Sequence, residues 1–184
     1  MTRSPIFTAS KQFSIFALLW LVSICNVYAA TTNPVTLKEN NLKAALIYKM
    51  GSYITWAIKP ATISYCFIGE NSSEIGEILL NKQKNRQFPV PINVFIKTSN
   101  KKHEDIESCH LVYISGEEEL NKTELEEISR SAFTITSTSK NLPKGFIASL
   151  EIQNNKPLLS ISKNNLKRSS ISVNSRFLSH INLL

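Results

Sequence analysis

The chain has 184 residues, 42% of them hydrophobic and 19% charged, with a formal net charge of +7. That is a one-domain length with ordinary globular composition, which excludes a disordered, collagen-like or cystine-dense protein. Arg3 and Lys11 are the only charges in residues 1–29, so the remainder carries +5, an excess that serves solubility or attraction to an acidic partner or anionic surface.

The first stretch reads as an export signal. Arg3 and Lys11 form a positive opening, residues 13–24 an apolar centre, and Val27 and Ala29 are the small residues at −3 and −1 of a cleavage site after Ala29. The expected organisation is a signal peptide over 1–29, a disordered lead-in over 30–36 and one α/β domain over 37–184. The apolar centre is short for a bilayer span, which needs ~20 residues. The mature protein is therefore expected not to span a membrane, and its expected location is periplasmic.

A helix is predicted over 37–55, with Leu42, Ala45, Leu46, Met50, Tyr53 and Ile54 on one apolar face. Trp56 lies at its end and Pro60 prevents continuation. Strands follow at 63–68, 92–97, 110–115 and 133–138. Between them come a helix capped by Ser72 or Ser73 and running to Leu80, a basic loop over 82–87, a short helical turn over 101–108, and a helix from Thr123 to Arg130. Strands over 146–152 and 158–161 are joined by Asn154-Asn155, a hairpin signal. Short helices are predicted over 164–168 and 175–181. Strands alternating with helices favour a mostly parallel central sheet flanked by helices, ending in an antiparallel hairpin.

Cys25 leaves with the signal, so Cys66 and Cys109 remain, each within or beside an apolar strand. Neighbouring strands lie ~4.8 Å apart, within reach of a cystine. A Cys66–Cys109 bridge is expected, with two buried free thiols as the alternative. His110 follows Cys109 on a strand and so faces the other way, which argues against a thiol enzyme.

No reactive constellation is legible. His103, His110 and His180 have no zinc-type spacing. No phosphate-cradling glycine loop or nucleophile elbow occurs, and the acidic clusters around Glu117 and Glu124 read as solvated surface. The expectation is a protein without enzyme activity, metal or cofactor, and with no nucleic-acid partner, since no basic stripe carries interleaved aromatics.

Several segments together resemble the YfiR family. Residues 42–50, LKAALIYKM, look like its opening helix, and Tyr53-Ile54-Thr55-Trp56 with Pro60 resembles that helix's end. Tyr65-Cys66-Phe67-Ile68-Gly69 and Cys109-His110-Leu111-Val112-Tyr113-Ile114-Ser115 resemble its two cysteine-bearing strands. Lys144-Gly145-Phe146-Ile147 falls where the family has Gly-Gly-Met-Ile. Leu159-Ser160-Ile161-Ser162 and residues 171–178 resemble its closing segments. Three departures stand out: Ala57-Ile58-Lys59 separates Trp56 from Pro60, Lys144 replaces a glycine, and Ser162 stands where the family has Asn.

The resemblance implies a periplasmic regulator that represses an inner-membrane diguanylate cyclase through its periplasmic sensor domain, responds to envelope redox state and can form a homodimer. The partner class it implies is an inner-membrane sensor protein, a cyclase or a kinase. Candidate partner-binding residues are Tyr53 and Trp56, Lys144 and Gly145, and Arg168 and Arg176; packing and solvent exposure are the competing roles for Trp56 and the arginines. The alternative function is a small-molecule binding module with a crevice at the carboxyl ends of the strands, near Gly69, Ser115 and Ser139.

Overall fold

Pro34 occupies the first helical position, where its missing N–H costs nothing and its fixed φ suits the turn. A computed structural model describes residues 34–85, 91–97, 106–115, 120–138, 142–179 and 181–184. Helix α1 runs Pro34–Gly51. It starts three residues before the predicted 37, and it ends four before the predicted 55. Its buried residues are Asn40, Ala44, Ile47, Met50 and Gly51, so the face toward the sheet is turned from the predicted one, and Ala45 is exposed. The cause is a close approach. The Tyr65 hydroxyl donates to the Tyr48 carbonyl at 3.0 Å and lies where a Cβ on Gly51 would stand. Only glycine lets the ring in, and the ring fixes the helix's rotation.

The Ser52 and Tyr53 N–H groups donate to the Lys49 and Met50 carbonyls and close the helix. Strand β1 (Ile54–Thr55) then pairs antiparallel with β8 (Ser172–Val173). This two-stranded sheet replaces the predicted last helical turn.

The main sheet contains β2 (Ile63–Ile68), β3 (Ile92–Lys97), β4 (Leu111–Ile114), β5 (Phe133–Thr136), β6 (Ala148–Gln153), β7 (Lys156–Ile161) and β9 (Asn182–Leu183). Its order is β3-β2-β4-β5-β6-β7-β9. Pairing is parallel from β3 through β6, antiparallel between β6 and β7, and parallel again between β7 and β9. Asn154 and Asn155 both have positive φ, 52° and 60°, as a two-residue type I′ hairpin requires. The mostly parallel α/β sheet with a closing hairpin is therefore present, and β9 is an addition: the predicted helix over 175–181 shortens to α5 (Ser175–Leu178) before the chain rejoins the sheet.

Helix α2 (Glu70–Lys84) starts at Gly69, whose φ of 101° favours glycine, and has no side-chain cap. Ser72 lies inside the helix, where its hydroxyl donates to the Gly69 carbonyl. The helix also continues into the segment predicted as a basic loop. Helices α1 and α2 cover one sheet face, where Tyr65, Phe67, Leu111, Tyr113, Phe133 and Ile135 join Ile47, Met50, Ile75 and Leu79. A short 3-10 turn (Ile106–Ser108) and α3 (Lys122–Ile128) supply the other face, where Cys66, Ile68, Val112 and Ile114 meet Ile106, Leu125, Ala132 and Phe146. Period-two alternation thus feeds two cores at once. Helix α4 (Lys163–Arg168) is capped by the Ser162 hydroxyl, which accepts from the Asn165 N–H.

The Cys66–Cys109 disulfide is present, with Cα atoms 5.9 Å apart. Both cysteines are buried. The predicted signal lies outside the described residues, and among those residues no helix is long and apolar enough to cross a membrane.

Burial raises Tyr113 to about 12, despite an opposing hydrogen bond with Ser137. It also raises Tyr65, with Tyr48 adding to the effect. A folded pKa above the unfolded value near 10 means stability is intact below pH 10 and falls as pH rises toward 12. Tyr113 alone should contribute a loss of about 2 kcal/mol by pH 12. Thermal midpoints measured from pH 8 to 12 should show this decline, and Tyr113→Phe should make it shallower. A Phe variant with an unchanged slope would contradict the assignment.

Candidate functional site

Trp56 sits just beyond β1 and bridges the amino ends of three strands. Its indole N–H donates to the His110 carbonyl at 3.4 Å. The same carbonyl accepts the Phe133 N–H at 2.8 Å, and the His110 N–H donates to Ser64. The indole meets the His110 ring edge-on at 5.6 Å and 86°. Beside it opens a groove of about 270 Å³ lined by Gly51, Ile54, Thr55, Trp56, Lys59, Pro60 and Ile63. Trp56 is half-buried, so packing and exposure both hold for it.

Tyr53 is 37% exposed and stacks on Phe177 at 4.6 Å and 10°. The Asn174 N–H donates to the Tyr53 carbonyl at 2.9 Å, and the Asn174 side chain caps α5 by accepting from the Arg176 N–H. Pairing of β1 with β8 therefore brings Tyr53 next to the helix that carries exposed Arg176. Ile58, in the three-residue insertion between Trp56 and Pro60, is 85% exposed. Neither Phe177 nor Ile58 stood among the contact candidates read from sequence, although an isoleucine between Trp56 and Pro60 in a loop was a visible signal.

Lys144, Gly145 and Arg168 form a second group. Gly145 and Arg168 line a pocket of about 340 Å³ with Glu126, Ser129, Arg130 and Asn165. Lys144 is exposed next to it, while Gly145 is buried and has φ of +92°. Gly145 thus shapes the pocket through its backbone, and its carbonyl accepts from the Thr134 hydroxyl.

At the carboxyl ends of the strands the Gly69 N–H donates to Lys97 and the Ser115 N–H to Ile68. These bonds bring two of the three crevice residues together; Ser139 lies outside the described residues.

His110 has its pKa lowered by burial, with no charged neighbour contributing. Its Nδ1 accepts the Ser64 N–H at 3.1 Å, which requires that nitrogen to be unprotonated. A folded pKa below the unfolded value means the contribution to stability is complete above about pH 6.5 and is lost as pH falls through the folded value. The thermal midpoint should drop on acidification through this window. His110→Asn keeps an acceptor without a titration and should flatten that part of the profile; an unchanged acid limb would refute the role. No group of His, Cys, Asp and Glu able to hold a metal occurs among the described residues.

A cystine-pinned α/β sheet, with an aromatic group at the amino ends of its strands and a guanidinium-lined pocket beside α3 and α4, defines a class: a small, mostly parallel α/β domain closed by an antiparallel hairpin. Within that class, the chain belongs to the YfiR/HmsC-like family, which it matches over residues 40–180. No curated protein matches it.

Proposed function

We propose that the protein is an exported periplasmic regulator, its signal removed near Ala29, that binds the sensor domain of an inner-membrane signalling protein and holds it inactive. The partner on this reading is a diguanylate cyclase, with a sensor kinase as the other class. The carrying observation is the family match over residues 40–180. Exposed Tyr53 and Ile58 and half-buried Trp56, with exposed Arg176 on the helix that Tyr53 stacks against, support contact there, because aromatic and arginine side chains dominate binding hot spots. The mechanism is population shift: the regulator prefers the inactive sensor, and that differential affinity sets the output.

The test is capture of solubilised inner membranes on the mature domain, with and without Trp56 and Ile58 variants. A cyclase or kinase should be recovered, and overexpression of the regulator should lower the matching output. Trp56→Ala should weaken capture by roughly 30-fold, the effect of a hot-spot loss near 2 kcal/mol. Because Trp56 also packs on His110, Ile58→Asp is the cleaner variant: it should leave the melting midpoint unchanged and still weaken capture. Recovery of no membrane signalling protein, or capture indifferent to both changes, would reject the reading.

A second reading is a small-molecule module at the carboxyl ends of the strands. The Ser115 hydroxyl favours it, being buried without a hydrogen-bond partner among the described residues. A metabolite that fits there should raise the melting midpoint of the wild type more than that of Ser115→Ala.

A further inference from the structure

Charge is distributed unevenly along this chain. Downstream of Ile128 there are eight Lys and Arg residues against one acid, Glu151, whereas residues 34–128 carry eleven against thirteen. The fold gathers part of that excess around one concavity. Arg130 follows the end of α3, and Arg168 ends α4. Both are exposed, both line the pocket of about 340 Å³, and exposed Lys144 and Lys167 lie one residue from its lining positions Gly145 and Arg168.

The pocket's walls are fixed by bonds that, among the described residues, leave the guanidinium groups uncommitted. The Asn165 amide donates to the Pro143 and Phe146 carbonyls at 3.2 and 2.8 Å. The Ser129 hydroxyl donates to the Glu126 carbonyl at 2.9 Å. The Ser170 N–H and hydroxyl both donate to the Arg130 carbonyl, at 2.9 and 2.8 Å, tying the chain just beyond the C-cap of α4 to the chain just beyond the C-cap of α3. With those donors occupied internally, Arg130 and Arg168 are the cationic donors among the described lining residues, where Glu126 is the one carboxylate.

We propose that this pocket binds a phosphate group, carried by a soluble phosphoester or by a phospholipid headgroup. A phosphate offers several acceptor oxygens to two planar, forked donors, the pairing in which guanidinium surpasses ammonium. Its charge outcompetes the single carboxylate of Glu126 for them. Arg168 closes α4, where it complements the helix dipole, and Arg130 follows the C-cap of α3. The proposal concerns the isolated domain and does not depend on the partner reading; membrane capture and ligand titration can fail separately.

The test is titration of the mature domain with glycerol 3-phosphate, and co-sedimentation with vesicles of phosphatidylglycerol against phosphatidylcholine. Arg130→Gln and Arg168→Gln should each weaken binding about tenfold, the loss of a charge-assisted contact. Glu126→Gln should strengthen it. Lys156→Gln removes one positive charge at the far end of the β6–β7 hairpin, so it separates a site from diffuse attraction and should change little. Saturation by glycerol 3-phosphate with this variant pattern assigns a soluble ligand. Binding confined to phosphatidylglycerol vesicles, with the same pattern, assigns a headgroup. No binding in either arm, equal losses in the arginine and Lys156 variants, or weaker binding by Glu126→Gln would overturn the proposal.

Discussion

Replacing Cys66 and Cys109 together with alanine should lower the stability by about 4 kcal/mol, the chain-entropy value for a crosslink with a sequence separation of 43. For a domain of this size that corresponds to a fall in melting midpoint of roughly 12 °C. The bridge joins the middle of β2 to Cys109, two residues before the start of β4 and next to His110, whose carbonyl receives both Trp56 and Phe133. Its loss should therefore loosen the aromatic group around Trp56 as well as the sheet. Cys66 is fully buried and Cys109 only 4% exposed, so a thiolate reaches the sulfurs only after the sheet opens. Reduction by dithiothreitol should be slow in native buffer and accelerate in sub-denaturing urea, and reductant should not affect the alanine variant. Rapid reduction without urea would mean an accessible, switch-like bridge. A midpoint unchanged by the double substitution would mean that the bridge contributes nothing to the fold.

The elements that sequence made legible are those whose signal is carried by neighbouring residues. Strand β4 is an unbroken apolar run and β2 is apolar apart from Ser64, because both of their faces are buried, and Asn154-Asn155 shows its hairpin through two residues that tolerate positive φ. Strand adjacency then made the Cys66–Cys109 pairing readable. The failures have a common cause in contacts made across the chain. The rotation of α1 depends on Gly51 meeting the Tyr65 ring, a relation that no helical periodicity contains. Strands β1, β8 and β9 have two residues each, too few to show an alternation, and exist because partners far along the chain supply their hydrogen bonds. The candidate surfaces follow the same rule. Tyr53 and Trp56 were visible as aromatics near a helix end, but Phe177 joined them only through the pairing of β1 with β8. Lys144 and Gly145 were selected in one loop and Arg168 on a short helix near the terminus, and it took the fold to bring Gly145 and Arg168 into one pocket with Arg130.

Gly145→Ala should be the most damaging single methyl in that second group. At φ of +92° a side chain is strained, and a Cβ there would lie 2.6 Å from the Leu125 Cγ, 2.9 Å from the Leu125 carbonyl carbon and 3.0 Å from the Glu126 nitrogen. Two of those atoms belong to the α3 backbone, so relief requires the helix to move and not merely a side chain to turn. Backbone strain and overpacking each cost about 1–3 kcal/mol, giving a combined loss of about 3 kcal/mol and a midpoint lowered by roughly 9 °C. The displacement has a direction. Moving α3 off the turn pulls Arg130 away from Arg168, so phosphate binding should weaken even at temperatures where the variant stays folded. Lys144→Ala, one residue away and exposed, should stay within about 0.5 kcal/mol of wild type. Calorimetry of the two variants side by side decides the point: equal midpoints would mean that the turn and α3 do not meet as closely as this geometry requires.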